Sequence, residues 1–129
     1  MKFRYAILYV SDVRETVAFY QTAFGLECAF IHECGDYAEL ATGETKLAIA
    51  SREMIGRLGK SPAAPVAEAP TFELAFEVAD VAAAYDRAVK AGAAPVQEPR
   101  HEDWGQVTSY VRDRDGFLIE LCSVVGQAG

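Results

Sequence analysis

The side chains best able to do chemistry are few in this 129-residue chain. Cys28, Cys34 and Cys122 form an odd, unevenly spaced set. They show neither the paired spacing of a zinc site nor a disulfide framework, so reduced and mostly structural thiols are expected. Cys122 could in principle act as a nucleophile. It falls, however, within an apolar strand pattern, where cysteine usually serves as a small hydrophobe. Trp104, the only tryptophan, follows the polar run Arg100-His101-Glu102-Asp103. It could form an aromatic wall for a flat ligand, or pack as a cap with no chemical part.

Composition narrows the setting in which these residues act. The net charge of −7, with no compensating Lys/Arg cluster, repels phosphates and argues against nucleic-acid binding. If the charge favours a partner it favours a cationic one, and otherwise it keeps a small domain in solution. No apolar run approaches the roughly 20 residues of a membrane-spanning helix. The start, Met1-Lys2-Phe3-Arg4-Tyr5, runs into a strand-like segment and lacks the features of a secretion signal, which makes the cytoplasm the expected compartment. The length suits one folding unit.

The elements that must position these groups can be read from periodicity. Phe3 to Val10 alternates and is rich in β-forming residues, and Asp12 then caps a helix carrying Val13, Val17, Tyr20 and Phe24 on one face. Gly25 stops that helix. Three short strands are expected at Leu26 to Ile31, Tyr37 to Ala41 and Lys46 to Ala50, separated by Gly35-Asp36 and Thr42-Gly43-Glu44. From Glu53 to Pro70, alanines, glycines and prolines mark a linker opened by one helical turn. The first pattern then returns, with a strand at Phe72 to Val78, Asp80 as a cap, and Val81, Tyr85, Ala88 and Val89 as a helical face ending before Gly92. Further strands are expected at Ala94 to Gln97, Gln106 to Arg112 and Phe117 to Val124.

The repeat superposes Val10, Asp12 and Val13 on Val78, Asp80 and Val81, and Tyr5 on Glu73. A small insertion near the module ends then brings Leu47 and Ile49 over Phe117 and Ile119 and pairs Ala50 with Glu120. The chain therefore reads as a single domain over 1–129. It comprises a βαβββ module over 1–52, a linker over 53–70 and a second βαβββ module over 71–125.

Several motifs in this frame resemble the vicinal oxygen chelate superfamily, which includes glyoxalases, bleomycin-resistance proteins and extradiol dioxygenases. They are Tyr9-Val10-Ser11-Asp12 entering a helix with Phe19-Tyr20 and Phe24-Gly25-Leu26; Trp104-Gly105; and Asp113-Arg114-Asp115-Gly116 leading into Phe117-Leu118-Ile119-Glu120-Leu121. Arg114 stands where the family's turn usually has proline. The resemblance implies an α+β fold in which two tandem modules form a curved, partly open sheet around a shared cavity, with the helices outside. It also implies a homodimer.

In the metal-dependent relatives, His or Glu side chains on the first and last strands of each module hold a divalent ion, leaving positions where two substrate oxygens chelate. The positions implied here are Tyr5, Ala50, Glu73 and Glu120, of which Tyr5 and Ala50 are not ordinary ligands. Glu73, Glu120 and Tyr5 could hold a hard divalent cation with added waters, but they suit zinc, nickel or iron(II) poorly. His32 and His101 fall outside the ligand register and read as surface or loop residues. The expectation is therefore no cofactor, with a divalent metal as the alternative.

The resemblance would place Glu73 and Glu120 on one cavity, where their proximity would raise at least one pKa and create a proton acceptor. Alternatively, each accepts structural hydrogen bonds, or the pair receives a cation. The leading expectation is a small-molecule-binding protein, possible ligands being cationic or aromatic compounds such as an antibiotic, with Tyr5, Ala50, Trp104 and Tyr110 as ligand-binding residues. The competing expectation is a lyase, isomerase or dioxygenase using Glu73 and Glu120 as base or metal ligands.

Overall fold

A computed structural model describes residues 1–126. The chain divides into two compact units, Met1–Ala64 and the segment from Pro65 onward. The first contains β1 (Tyr5–Val10), α1 (Val13–Phe24), β2 (Cys28–Ile31), β3 (Tyr37–Leu40), β4 (Lys46–Ser51) and α2 (Arg52–Arg57). The second contains β5 (Glu73–Glu77), α3 (Val81–Lys90), β6 (Ala94–Glu102), β7 (Gln106–Arg112) and β8 (Leu118–Cys122). Each unit is α+β with one open four-stranded sheet, ordered β1-β4-β3-β2 in the first and β5-β8-β7-β6 in the second. The tandem βαβββ order is thus present. No helix among the described residues is long and apolar enough to cross a membrane.

Equivalent local chemistry builds both units. Asp12 accepts the Glu15 N–H at 3.0 Å to start α1, and Asp80 accepts the Ala83 N–H at 3.0 Å to start α3, satisfying donors that a helix N-terminus leaves orphaned. Gly25 closes α1 with φ of 68°, a left-handed conformation that costs a residue with a Cβ about 1 kcal/mol or more. The first core sets Val13, Val17 and Tyr20 of α1 against Leu8, Val10, Leu40, Leu47 and Ile49, all essentially buried. The second sets Val81, Tyr85 and Ala88 of α3 against Val107, Val111, Ile119 and Leu121. Each fully buried Leu or Ile contributes about 1.5–3 kcal/mol.

Two elements differ from expectation. The expected short strand at Ala94 to Gln97 continues to Glu102, so Arg100, His101 and Glu102 are strand residues and only Asp103 to Gly105 form the turn. β6 is an edge strand with irregular pairing between Pro95 and Arg100, a place where Pro95 and Pro99 remove no indispensable ladder bond.

The second difference concerns the repeat. Tyr5 pairs with Lys46 in the first sheet and Glu73 pairs with Leu118 in the second. With Tyr5 and Glu73 as counterparts, Leu47, Ile49 and Ser51 correspond to Ile119, Leu121 and Ser123. The counterpart of Glu120 is therefore Ala48, and Ala50 corresponds to Cys122. The expected pairing of Ala50 with Glu120 is two residues out. Such a slip preserves the in-and-out alternation, so the apolar pattern could not expose it.

Candidate functional site

α3 covers one face of the second sheet, where Leu74, Phe76, Val111, Ile119 and Leu121 point. The alternate residues form the opposite face, and the register arranges them in rows. Glu73, Leu118 and Arg112 make one row; Ala75, Glu120, Tyr110 and Gln97 the next; Glu77, Cys122, Thr108 and Arg100 the third. This face carries three glutamates, a phenol and two guanidinium groups, of which Glu73, Glu120, Tyr110 and Arg112 fall in the first two rows.

Tyr110 donates its hydroxyl to Glu120 Oε2 at 3.0 Å, across the antiparallel β7–β8 pair. Burial, the Glu120 hydrogen bond and the surrounding carboxylates push the Tyr110 pKa up to about 12. The Glu73 carboxyl is raised above its ordinary range, first by burial, then by the charge of Glu120 and a hydrogen bond with it. The structure thus brings together Glu73, Glu120 and Tyr110, three of the expected site residues. A carboxyl held toward its protonated form beside a second carboxylate can give or take a proton. The same pair can also face a cation.

Cys122 shares this face but is a poor nucleophile. Burial raises its pKa and the neighbouring carboxylates raise it further, and its thiol lies 3.7 Å from the Phe76 carbonyl. Trp104 stands in the β6–β7 turn, 57% exposed, donating Nε1–H to Gln106 Oε1 at 2.7 Å. It is available as an aromatic surface at the end of the sheet. His101 belongs to the opposite register. It lines a hollow of about 470 Å³ at the start of α3 with Asp80, Arg100, Val107 and Ser123.

The corresponding face of the first sheet has a different character. Tyr5, Ile7 and Tyr9 on β1 flank Ala48 and Ala50 on β4, with Tyr37 and Glu39 on β3 beyond them and Phe30 on β2. Tyr5, Ile7 and Phe30 are each more than two-fifths exposed. Ala50 is buried, without a polar side chain to offer. Tyr37 donates its hydroxyl to Glu39 Oε2 at 2.8 Å along one strand, and burial with this bond lifts its pKa to about 12. The ring of Phe30 lies 6.1 Å from that of Tyr37. The Tyr37–Glu39 pair was not anticipated, although its alternate spacing on one strand is visible in the sequence.

Arg112 was also missed, because the sequence offers no sign that its guanidinium lacks a carboxylate partner. As to metal, no group of three or more His, Cys, Asp or Glu among the described residues is arranged to hold an ion. The second face supplies carboxylates and a phenol without an imidazole. That donor chemistry does not fit a zinc, nickel or iron(II) centre.

Comparison with known proteins agrees with this architecture. The profile of the Glyoxalase/Bleomycin resistance protein/Dioxygenase superfamily matches residues 2–121. The uncharacterized protein YraH of Bacillus subtilis (strain 168) is 32% identical over 124 residues, covering 94% of this chain and 97% of that protein. Among solved structures, a glyoxalase-related enzyme from Fulvimarina pelagi superposes with a TM-score of 0.82 at 20% identity, over 96% of this chain and 88% of that one. TioX from Micromonospora sp. ML1 superposes with a TM-score of 0.73 at 21% identity, over 95% and 98% of the two chains. With a tandem βαβββ frame and a family match over nearly its whole length, the chain belongs to the glyoxalase/bleomycin resistance protein/dioxygenase superfamily.

Proposed function

We propose that this protein binds a small organic molecule at the sheet face away from α3 that bears Glu73, Tyr110 and Glu120, without using a catalytic transition metal. The observation that carries the reading is the close association of the two carboxyls, with Tyr110 holding Glu120 in place. Paired carboxylates on a sheet face favour a cationic group, and Trp104 and Tyr110 offer aromatic surface to the rest of the ligand. The bleomycin-resistance branch of the family supports sequestration of a drug-like compound as a role.

Two further expectations accompany this reading. The protein acts in the cytoplasm, and it works as a homodimer. The exposed Phe3, Tyr5, Ile7 and Phe30 and the free edges of both sheets favour association with a second copy.

A second reading has its own support. The raised Glu73 pKa suits a proton acceptor or donor in a metal-free isomerase or lyase. Screening cationic and aromatic compounds by Trp104 fluorescence, with E120Q as the comparison, separates the two. Binding that weakens in E120Q, with no turnover in either protein, supports the binding role. Turnover that disappears in E120Q while affinity persists establishes the enzyme instead. Stoichiometric tightly held zinc, nickel or iron in untagged protein would sink the metal-free reading.

A further inference from the structure

Arg112 ends β7, pairing with Ala94 and Leu118. Its place in the alternation puts it on the same face as Tyr110, in the row containing Glu73. Among the described residues its Nε is the buried side-chain nitrogen or oxygen that lacks any hydrogen-bond partner, and no described carboxylate comes within ion-pairing distance of it. This occurs in a chain with 19 acidic residues. A guanidinium keeps its charge at every physiological pH, and a buried donor left unmet opposes folding. Glu120 and Tyr110 are engaged with each other, Glu73 with Glu120, and Glu77 lies two rows away, so the carboxylates of this face leave Arg112 unanswered.

We propose that Arg112 recognises an anionic oxygen group of the ligand, so that the molecule bound on this face carries a carboxylate beside its cationic or hydrogen-bonding group. The inference rests on the binding reading above and adds the ligand's class. The two terminal Nη groups of an arginine form a planar fork that matches the two oxygens of a carboxylate, and they, rather than the enclosed Nε, present the charge to a ligand. Diagonal neighbours on adjacent antiparallel strands lie about 7–8 Å apart, a span that one small zwitterion can bridge from Arg112 to the Glu120–Tyr110 pair. A dianionic phosphate would be repelled by the two nearby glutamates, so a monoanionic carboxylate is the better fit. The corresponding first-unit residue is Ala41, which gives that face no such group.

The test is an NMR titration of the full chain with sodium acetate, glycine and methylammonium chloride, following the Arg112 Nε–H resonance and the amides of β7 and β8. Acetate and glycine are expected to shift the Nε–H saturably, glycine with the higher affinity, while methylammonium leaves it in place. R112K, which keeps a charge and loses the fork, is expected to weaken the acetate response of the surrounding amides by about tenfold or more. R112Q is expected to lose it. No saturable response to acetate or glycine, or an R112K protein that binds acetate as the parent does, overturns the proposal. A response to acetate without any response to methylammonium at Glu120 and Tyr110 supports the role of Arg112 and refutes the cationic half of the binding reading.

Discussion

The two sheets use the same frame to present opposite chemistry on the faces away from their helices. The first offers Tyr5, Ile7, Tyr9, Phe30 and Tyr37 around small alanines, with Glu39 held by Tyr37 on one strand. The second offers Glu73, Glu120, Tyr110 and Arg112, with Glu120 held across strands. By register, Tyr5 corresponds to Glu73, Ala48 to Glu120, Glu39 to Tyr110 and Ala41 to Arg112. Duplication kept the helix-facing positions apolar because both cores require them, while the other faces were free to diverge. Packing constrains one side of such a sheet, and function can occupy the other.

The largest contrast should appear in the turns that lead into the final strands. Asp113 Oδ1 accepts the N–H groups of Asp115, Gly116 and Phe117, each at 2.9 Å, and the residue is buried. Its counterpart Thr42 donates to the Thr45 carbonyl at 2.8 Å and accepts the Leu47 N–H at 2.9 Å. Asp113→Ala should lower the unfolding free energy by about 3 kcal/mol and Thr42→Ala by about 1 kcal/mol, measured by urea denaturation. Equal losses would show that the two turns carry similar weight despite their different wiring.

A smaller effect concerns Glu73. Its folded-state pKa is raised by burial and by Glu120. Its contribution to stability is therefore fully present below the unfolded value, about 4.3, and is lost as pH rises through the folded value. At neutral pH the ionised group should oppose folding only weakly, because Glu73 is exposed and solvent screens its charge. Glu73→Gln should unfold at a higher temperature than the parent at about pH 7, with the gap closing below about pH 4 in a series of thermal melts. A gap that persisted in acid would mean that the substitution acts through packing instead.

The finest comparison is between the two tyrosines. Tyr37 and Tyr110 have pKa values raised to about 12 by burial and by their bonds to Glu39 and Glu120. Ultraviolet titration should show each ionising well above the ordinary value of about 10, and Y37F and Y110F should each remove one late ionisation. If one variant removed none, that hydroxyl would not be held by its glutamate in solution, and the parallel between the faces would fail there.

Much of the frame was legible because its signals are local. Asp12 and Asp80 mark helix starts, Gly25 marks a stop, and the apolar positions of α1 and α3 repeat at helical spacing. The reach of β6 through Arg100 to Glu102 was not legible, since two prolines and a charged run look like loop until the edge position of the strand is known. The association of Glu73 with Glu120 was expected from family resemblance rather than from spacing. Tyr110 was expected at the site but not as the partner of Glu120, and Arg112 was not expected at all.

The sequence by itself determined a duplicated βαβββ chain with acidic character, and its resemblance to a family named Tyr5, Ala50, Glu73 and Glu120 as candidate site residues beside Trp104 and Tyr110. Periodicity and capping are short-range properties that a linear reading can count. Only the tertiary structure decided that Ala48 rather than Ala50 corresponds to Glu120, that Tyr110 bonds to Glu120, and that Arg112 has an unanswered donor. Those facts depend on hydrogen-bond register between strands distant in sequence. A slip of two residues leaves every side chain on the same face and changes only its neighbours.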